Sequence, residues 1–265
     1  MSTILYNGDC LDIMQDIPDK SIDAIICDLP YGTTNNKWDI IIPLESLWMA
    51  YNRIIKDGGA IVLTSSQPFT SILVMSNIKN FKYEWIWRKT ISSGSMNAKI
   101  MPLKQHESVL VFSGNSKTKV TYYPKMTKGT PYKTSPAKFA ASNYGEQERP
   151  AIVNDGTRYP TSVIDVANPR VKGGHPTQKP VELMEYLVET YTLPGDTILD
   201  NCMGSGATGV ACVQHNRQFV GMELDEKYYN FAETRIKEAL ELKTNQDKTS
   251  LKKDNLVNDL LGDYD

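Results

Sequence analysis

Short apolar segments recur along the chain, and most are continuous rather than alternating with polar residues. Continuous segments of this kind, rich in β-branched residues and flanked by turn residues, are typical of strands buried on both faces of a parallel sheet. Seven segments are predicted strands: Thr3–Tyr6, Asp23–Cys27, Ala60–Thr64, Glu84–Trp87, Ser108–Phe112, Asp196–Leu199 and Gln218–Met222.

Five segments between or after these strands place apolar residues at helical spacing. They are Leu44–Ile55, Pro68–Ile78, Pro180–Tyr191, Ala207–Asn216 and Lys227–Leu242. Strands interleaved with helices predict an α/β fold with a doubly wound, mostly parallel sheet of seven strands.

Two segments depart from this periodicity. Residues 115–174 are rich in Pro, Gly, Tyr, Lys and Thr, and an irregular segment of that length within a compact domain is usually functional or mobile. Residues 243–265 form a polar, charged tail to which the sequence assigns no function.

The composition is that of an ordinary globular protein, 40% hydrophobic and 23% charged. The apolar runs are too short to cross a membrane, and the first residues lack a secretory signal pattern, so the expected location is the cytoplasm. The four cysteines, Cys10, Cys27, Cys202 and Cys212, form no C-x-x-C pair, and the sequence predicts no metal site.

Positive charge is concentrated in the middle of the chain. The net charge is −2, yet residues 79–138 contain eleven Lys and one Arg against two Glu, a local balance of 12 − 2 = +10. Such clustering indicates a polyanionic partner, with a solvated lysine face as the alternative.

A glycine-rich turn follows the predicted strand that ends next to Asp200. Gly204 to Gly209 fit G-x-G-x-x-G, which leaves little side-chain bulk and allows close backbone approach to a ligand at a helix N-terminus. Glu223 follows the next strand, where a carboxylate accepts hydrogen bonds from ribose hydroxyls. A nucleotide-type ligand is predicted; a tight turn with glycines only for packing is the alternative.

The surroundings of this turn indicate which nucleotide it binds. Only one strand and one helix follow it, too little sheet for a nicotinamide or flavin enzyme. Asp200 disfavours a pyrophosphate nearby, whereas it favours a ligand with a sulfonium and an ammonium group. S-Adenosylmethionine is therefore the predicted cofactor.

A second motif, Asp28-Leu29-Pro30-Tyr31-Gly32, follows the predicted strand Asp23–Cys27. A carboxylate from Asp28 and the backbone carbonyl of Leu29, with Pro30 fixing the turn, would accept the two N–H groups of an exocyclic amine and free its lone pair. Tyr31 offers a flat face to a base flipped out of the helical stack. The alternative is an ordinary Pro-Tyr-Gly turn with a capping Asp.

Three motifs together resemble those of amino-group DNA methyltransferases. Asp28 to Tyr31 resemble the D-P-P-Y motif, Asp200 to Gly209 the D-P-F-x-G-S-G-T-T motif, and His175 to Pro180 the H-P-T-Q-K-P segment of the β-group. The order of the motifs, with the catalytic one first, is that of the circularly permuted β-group. The chain departs from the pattern at Leu29, at Asn201-Cys202 and at Ala207.

The resemblance implies a circularly permuted methyltransferase fold of the S-adenosylmethionine-dependent type. It implies methyl transfer from S-adenosylmethionine, which becomes S-adenosylhomocysteine, to adenine N6 or cytosine N4 in DNA. Asp28 favours adenine by this resemblance, whereas chemistry alone does not separate the two amines.

The resemblance also supplies the candidate residues. The catalytic set is Asp28, Leu29, Pro30 and Tyr31. The cofactor set is Asp9, Cys10, Asp28, Thr177, Lys179, Asp200, Cys202, Gly204, Ser205, Gly206 and Glu223. The lysines expected to contact DNA are Lys89, Lys117, Lys119, Lys125, Lys128, Lys133 and Lys138, with Arg88 or Lys89 directed to DNA or to the base pocket. His106-Glu107 lacks a second His at metal-binding spacing and is interpreted as structural.

The predicted domain organisation places the catalytic half at residues 1–114 and a target-recognition insertion at 115–174. The cofactor half follows at 175–242, and the tail at 243–265. DNA is the expected partner, together with a companion restriction endonuclease and a second copy of the chain, and no membrane.

Alternative functions remain at this point. Cytosine-N4 methylation is the nearest in chemistry. RNA and protein-glutamine methyltransferases usually carry the glycine loop first, the reverse of this chain. A catalytically inactive DNA-binding subunit and a nicotinamide oxidoreductase belong to other classes.

Overall fold

The computed structural model describes residues 2–34, 36, 39–114, 117–139, 145, 147–168 and 178–262. Thr177 lies outside these residues, as do His175 and Pro176 of the H-P-T-Q-K-P segment. The chain forms two compact units, one built from Met1–Tyr123 and Ser162–Asp265, the other from Pro124–Thr161.

The strands, numbered along the chain, are β1 Thr3–Asn7, β2 Ile22–Asp28, β3 Ile55–Ser65, β4 Phe81–Ser93, β5 Lys104–Ser113, β6 Thr127–Lys128, β7 Tyr132–Thr134, β8 Ala137–Phe139, β9 Gln147–Arg149, β10 Ile152–Asn154, β11 Thr157–Arg158, β12 Val163–Asp165, β13 Thr197–Asp200 and β14 Gln218–Glu223. The α-helices are α1 Cys10–Ile13, α2 Leu44–Ile54, α3 Phe69–Ser76, α4 Val181–Tyr191, α5 Ala207–Gln214 and α6 Glu226–Gly262. Short 3-10 helices cover Met14–Asp16 and Ser95–Asn97.

The larger unit contains a sheet with the strand order β1-β14-β13-β2-β3-β5-β4-β12. β5 is antiparallel to both of its neighbours, and every other neighbouring pair is parallel. All seven predicted strands lie in this sheet, which confirms the doubly wound α/β fold. The eighth strand, β12, is a three-residue edge strand beside β4 that the pattern did not predict.

Both faces of the sheet are buried, which explains why its strands are continuously apolar. On β2, Ala24 and Ile26 belong to one core cluster, with residues of α4 and α5. Ile25 and Cys27 point to the opposite face and belong to a second cluster, with residues of α2 and α3. The alternation along one strand thus supplies two cores.

The last helix, α6, extends well beyond the predicted end at Leu242 and reaches Gly262. The apolar periodicity fades there, but no Gly or Pro interrupts the chain before Gly262, so backbone hydrogen bonding continues. Within the part of the chain that the structure describes, no helix is both long and apolar enough to span a membrane.

The smaller unit consists of short antiparallel pairs, β6 with β11, β7 with β10 and β8 with β9. The Arg158 guanidinium lies 4.7 Å from the ring centroid of Tyr132 and contacts the side chain of Asn154. This unit, Pro124–Thr161, covers a shorter range of the sequence than the predicted insertion at 115–174. The flanking residue Tyr123 belongs to the larger unit, where its N–H donates to the Thr190 carbonyl (2.7 Å).

Candidate active site

A cavity of about 610 Å³ lies at the carboxyl ends of β2, β13 and β14. In open α/β sheets ligands bind at this edge. The cavity is lined by every residue of the predicted catalytic and cofactor sets except Gly206 and Thr177, the latter being outside the described residues. The strand order therefore brings together residues that are far apart in the sequence, such as Asp28 and Asp200.

Asp28, the last residue of β2, is held by three donors. Its Oδ1 accepts hydrogen bonds from the Tyr31 hydroxyl (2.7 Å) and from Thr64, its partner in the β2–β3 register. Its Oδ2 accepts one from Lys179 Nζ (2.6 Å). A carboxylate has about four acceptor positions. The described residues therefore leave one acceptor position of Asp28 for a ligand in the cavity.

The ring of Tyr31 is fixed beside this carboxylate. It stacks on Phe69, with centroids 5.5 Å apart and planes at 22°. Burial and the neighbouring Asp28 charge raise the pKa of Tyr31 well above its usual value, so the hydroxyl remains a neutral donor. Phe69 covers one face of the ring, and stacking of a target base on Tyr31 stays a prediction.

Lys179 and Lys89 meet at a buried carboxylate, Glu107 of β5. Lys179 Nζ lies 3.4 Å from Glu107 Oε2, and Lys89 Nζ contacts Oε1. Burial alone would lower the pKa of Lys179, but Asp28 and Glu107 outweigh it and raise the pKa above the ordinary value. Burial alone would likewise raise the pKa of Glu107, but Lys179 and Lys89 hold it below its usual value. Glu107 and Lys179 are therefore both charged at neutral pH.

Asp200 and Glu223 form the other end of the cavity. Asp200 is 2% exposed, and burial raises its pKa to about 6. Glu223 accepts hydrogen bonds from the N–H groups of Gly204 (2.9 Å) and Asp225 (3.0 Å), and burial raises its pKa too. Among the described residues, no Lys, Arg or His nitrogen lies within 4.0 Å of either carboxylate.

The donors and acceptors at this end fit S-adenosylmethionine. A buried carboxylate with a raised pKa and no cationic partner favours a ligand that carries positive charge. Glu223 retains acceptor positions for ribose hydroxyls after taking two backbone donors.

The glycine loop has a backbone that requires glycine. Gly204 and Gly206 have φ of 48° and 74°, in the left-handed region, and Gly206 caps α5. A Cβ on Gly206 would lie 3.1 Å from the Ala232 Cβ of α6. Arg235 of α6 also donates to the Ser205 carbonyl (2.6 Å), so α6 fixes the loop.

The remaining members of the cofactor set have local roles as well. Asp9 caps α1 by accepting from the Leu11 N–H (2.8 Å). The Cys10 and Cys202 thiols each lie 3.5 Å from the Asn201 Nδ2. Asn201 and Cys202 stand where the family has Pro-Phe, and only Cys202 of the two is partly exposed.

The lysines predicted to contact DNA are distributed over different surroundings. Lys89 is not exposed but lies at Glu107, and its ammonium is 4.8 Å from the ring centroid of Trp87. Its neighbour Arg88 is exposed and paired with Asp165. Lys117 and Lys119 belong to the larger unit, and Lys125, Lys128, Lys133 and Lys138 to the smaller one, where Lys138 pairs with Glu148.

Three residues at the site have no signal in the sequence motifs: Thr64, Glu107 and Asp39. Asp39 is 7% exposed and accepts hydrogen bonds from the N–H groups of Gly32 (2.8 Å), Thr33 (2.9 Å) and Thr34 (2.7 Å). It therefore shapes the loop that follows Tyr31. Only the strand pairing of β2 with β3 could have indicated Thr64 in advance.

Known proteins resemble the chain over most of its length. The DNA methylase family of N6 and N4 methyltransferases matches residues 22–234. The Type II methyltransferase M.HinfI of Haemophilus influenzae is 28% identical over 264 residues, covering 90% of this chain and 69% of that protein. The DNA adenine methyltransferase YhdJ of Escherichia coli K12 is 25% identical over 251 residues, covering 88% and 82%.

Two solved structures share the fold. The M1.HpyAVI–SAM complex has a TM-score of 0.61 at 24% identity, covering 88% of this chain and 99% of its own. The cytosine-N4-specific PvuII DNA methyltransferase has a TM-score of 0.65 at 15% identity, covering 92% and 93%. With the family match spanning most of the chain and both motif sites facing one cavity, this protein belongs to the N6/N4 DNA methylase family, whose members use S-adenosylmethionine.

Proposed function

We propose that this protein is a site-specific DNA methyltransferase that modifies the exocyclic N6 amine of an adenine flipped out of the duplex. The observation that carries the proposal is the position of Asp28, which accepts three hydrogen bonds and lines a cavity that extends to Asp200 and Glu223. In the part of the chain that the structure describes, neither of the latter two carboxylates has a basic nitrogen within 4.0 Å. One end of the cavity suits an amine donor, and the other suits a cationic nucleoside.

The chemistry follows from the poor nucleophilicity of the adenine amine, whose lone pair is delocalised into the ring. Asp28 and the Leu29 carbonyl accept the two N–H groups, which draws the nitrogen toward tetrahedral geometry and localises the lone pair. S-Adenosylmethionine supplies an electrophilic methyl group and leaves as S-adenosylhomocysteine. The amine gains the methyl and releases one proton to water, with no covalent enzyme intermediate. Positioning and charge placement supply the catalysis.

The cofactor-binding roles are proposals on the same basis. Asp200 would face a cationic group, Glu223 the ribose, and the Gly204–Gly206 turn would allow close backbone approach. Asp9, Cys10, Ser205 and Cys202 line the same end of the cavity. Thr177 stays a prediction from the motif.

Adenine is proposed over cytosine on two grounds. The Asp at position 28 resembles the adenine-specific form of the motif, and one relative similar over most of its length is named as an adenine methyltransferase. The likeness to the cytosine-N4 enzyme is one of fold alone at 15% identity.

We assign DNA contacts to the exposed lysines of the smaller unit, the core of the target-recognition insertion proposed at 115–174. Lys128 lies on β6 and Lys133 on β7, both exposed, where ammonium groups suit phosphates. The companion endonuclease, the homodimer and the cytoplasmic location stay predictions.

The test uses the purified protein, duplex DNA of mixed sequence and S-adenosylmethionine with a tritiated methyl group. After the reaction the DNA is digested to nucleosides and separated by chromatography. We expect the label in N6-methyladenine. Label in N4-methylcytosine would show that the target base is cytosine and not adenine. Unlabelled DNA would contradict the methyltransferase assignment.

A further inference from the structure

We propose that Glu107 is a positioning residue for methyl transfer, because its buried carboxylate holds the Lys179 ammonium against Asp28. The proposal rests on the proposed catalytic role of Asp28. It gives a function to a residue that the sequence alone marks only as structural.

Glu107 lies where three elements of the larger unit converge. It is on β5, opposite Trp87 of β4 in the antiparallel register. Its side chain is 12% exposed and faces Lys89, which extends from the same strand as Trp87. Lys179 precedes α4 and reaches the same carboxylate from another part of the fold.

The contacts form a chain that ends at the reacting group. Glu107 Oε1 accepts a hydrogen bond from Lys89. Glu107 Oε2 is buried and forms an ion pair of 3.4 Å with Lys179, without a hydrogen bond. Lys179 in turn donates to Asp28 Oδ2 at 2.6 Å. A lysine side chain is long and flexible, and one carboxylate partner alone leaves its ammonium free to swing. A second carboxylate fixes the ammonium and thereby the orientation of the Asp28 carboxylate. With the Asp28 carboxylate fixed in orientation, its remaining acceptor position points toward the cavity.

The charges support this arrangement. Lys89, Lys104 and Lys179 face the carboxylates of Glu107 and Asp28, a balance of 3 − 2 = +1. Tyr31 also faces Lys179, with 5.4 Å between the ammonium and the ring centroid. Without Glu107, Lys89 would lose its carboxylate partner and Lys179 would keep only Asp28. Lys179 would also lose one of the two charges that keep its pKa raised against burial.

The experiment compares Glu107→Gln, Glu107→Asp and Glu84→Gln with the parent protein. Glu84 is exposed on β4, so Glu84→Gln is the same substitution on the neighbouring strand without a contact to the site. Methylation of adenine in duplex DNA is measured as kcat, as KM for each substrate, and as kcat against pH. Thermal unfolding establishes that each variant is folded.

We expect Glu107→Gln to lower kcat by about ten-fold, with both KM values within about two-fold of the parent, since a positioning error acts on the bound complex. In Glu107→Gln, the fall of kcat at alkaline pH (the alkaline limb of the pH profile) should begin at lower pH, because Lys179 then loses its proton more easily. Glu107→Asp keeps the charge and should restore the alkaline limb and part of kcat. Glu84→Gln should match the parent.

The outcomes separate this proposal from the proposed function. An active parent with Glu107→Gln at parental kcat and an unmoved alkaline limb overturns the positioning role alone. Equal loss in the Gln and Asp variants with no shift in the pH profile also overturns it, because charge would then not matter. A parent protein that forms no N6-methyladenine overturns the proposed function itself.

Discussion

The two ends of the cavity differ in how their carboxylates are neutralised. At the catalytic end, Lys179 pairs with both Asp28 and Glu107, and Lys89 pairs with Glu107. At the cofactor end, Asp200 and Glu223 have no basic nitrogen within 4.0 Å among the described residues, and burial raises the pKa of each. Lysines of the protein therefore neutralise the carboxylates where a neutral amine is to react. The carboxylates at the cofactor end have no such lysines, and there a positively charged ligand is to bind.

The difference in neutralisation implies different functions for the carboxylates at the two ends. A carboxylate with fixed donors is pre-organised and orients a substrate hydrogen bond, which affects the transition state. A buried carboxylate without a positively charged partner gains from a bound cation, which affects affinity. Substitutions at the two ends should therefore separate kcat from cofactor binding.

The largest effect is expected from Asp28→Ala. Removing the acceptor for the target amine should lower methyl transfer by roughly 10³-fold, the range found for loss of a pre-organised catalytic group. Binding of S-adenosylhomocysteine, measured by calorimetry, should stay within about two-fold of the parent. The matched control is Asp19→Ala, at an exposed aspartate paired with Arg53, which should retain full activity. Parental activity in Asp28→Ala would contradict the assignment.

Asp200→Asn should weaken S-adenosylmethionine binding by roughly 30-fold, the equivalent of about 2 kcal/mol for a charge-assisted hydrogen bond. The substitution keeps the shape of the side chain but removes its charge. Equilibrium dialysis with labelled cofactor measures the change. Unaltered affinity would mean that Asp200 does not face a cationic group.

The same carboxylate gives the cofactor affinity a pH dependence. Its pKa is about 6, so it becomes ionised as the pH rises through that value, and only the ionised form attracts a cation. Affinity for S-adenosylmethionine should rise between about pH 5 and 7 and then level off. In Asp200→Asn this rise should disappear, and its persistence would assign the titration to another group.

Gly206→Ala should destabilise the glycine loop at the cofactor end and leave the structure of the catalytic end unchanged. The residue would be held at a φ of 74° with its Cβ 3.1 Å from Ala232. A cost of about 1 to 2 kcal/mol is expected, seen as a lower melting temperature. Gly195→Ala is the control for the left-handed strain alone, because Gly195 has a φ of 93° and no described atom lies within 4 Å of the added Cβ. Equal losses in both variants would show that packing against Ala232 does not contribute.

The smallest effect is expected outside the cavity, at Lys133→Ala. Loss of one phosphate contact should weaken DNA binding by a few-fold and reduce the salt slope by about one. Fluorescence anisotropy at several salt concentrations measures both. Cofactor affinity should not change, and a salt slope identical to the parent would exclude Lys133 from the DNA interface.

The sequence predicts the sheet strands and the ends of the cavity because both have local signals. Asp28, Asp200 and Glu223 each end an apolar strand, and such positions mark the ligand edge of a parallel sheet. The three-residue strand β12 escaped prediction because its partner is β4, more than 70 residues earlier in the chain.

The lysine and carboxylate network could not be predicted from the same signals. Glu107 follows a histidine in a strand and has no helix or strand periodicity that distinguishes it. Its role depends on Lys179, which reaches it only after the sheet has formed. The motif pattern predicts that Lys179 binds the cofactor, whereas its nearest charged partner in the structure is Asp28. The spacing of residues in the sequence does not show that Lys179 and Asp28 come into contact.

The central claim is that one end of the cavity performs the transfer and the other holds the cofactor. Initial rates of adenine methylation by Asp28→Ala and Asp200→Asn, measured at saturating S-adenosylmethionine, test it most directly. We expect the rate of Asp200→Asn to recover to within a few-fold of the parent, whereas that of Asp28→Ala stays roughly 10³-fold lower. Equal losses in both variants at saturation would contradict the separation of the two ends.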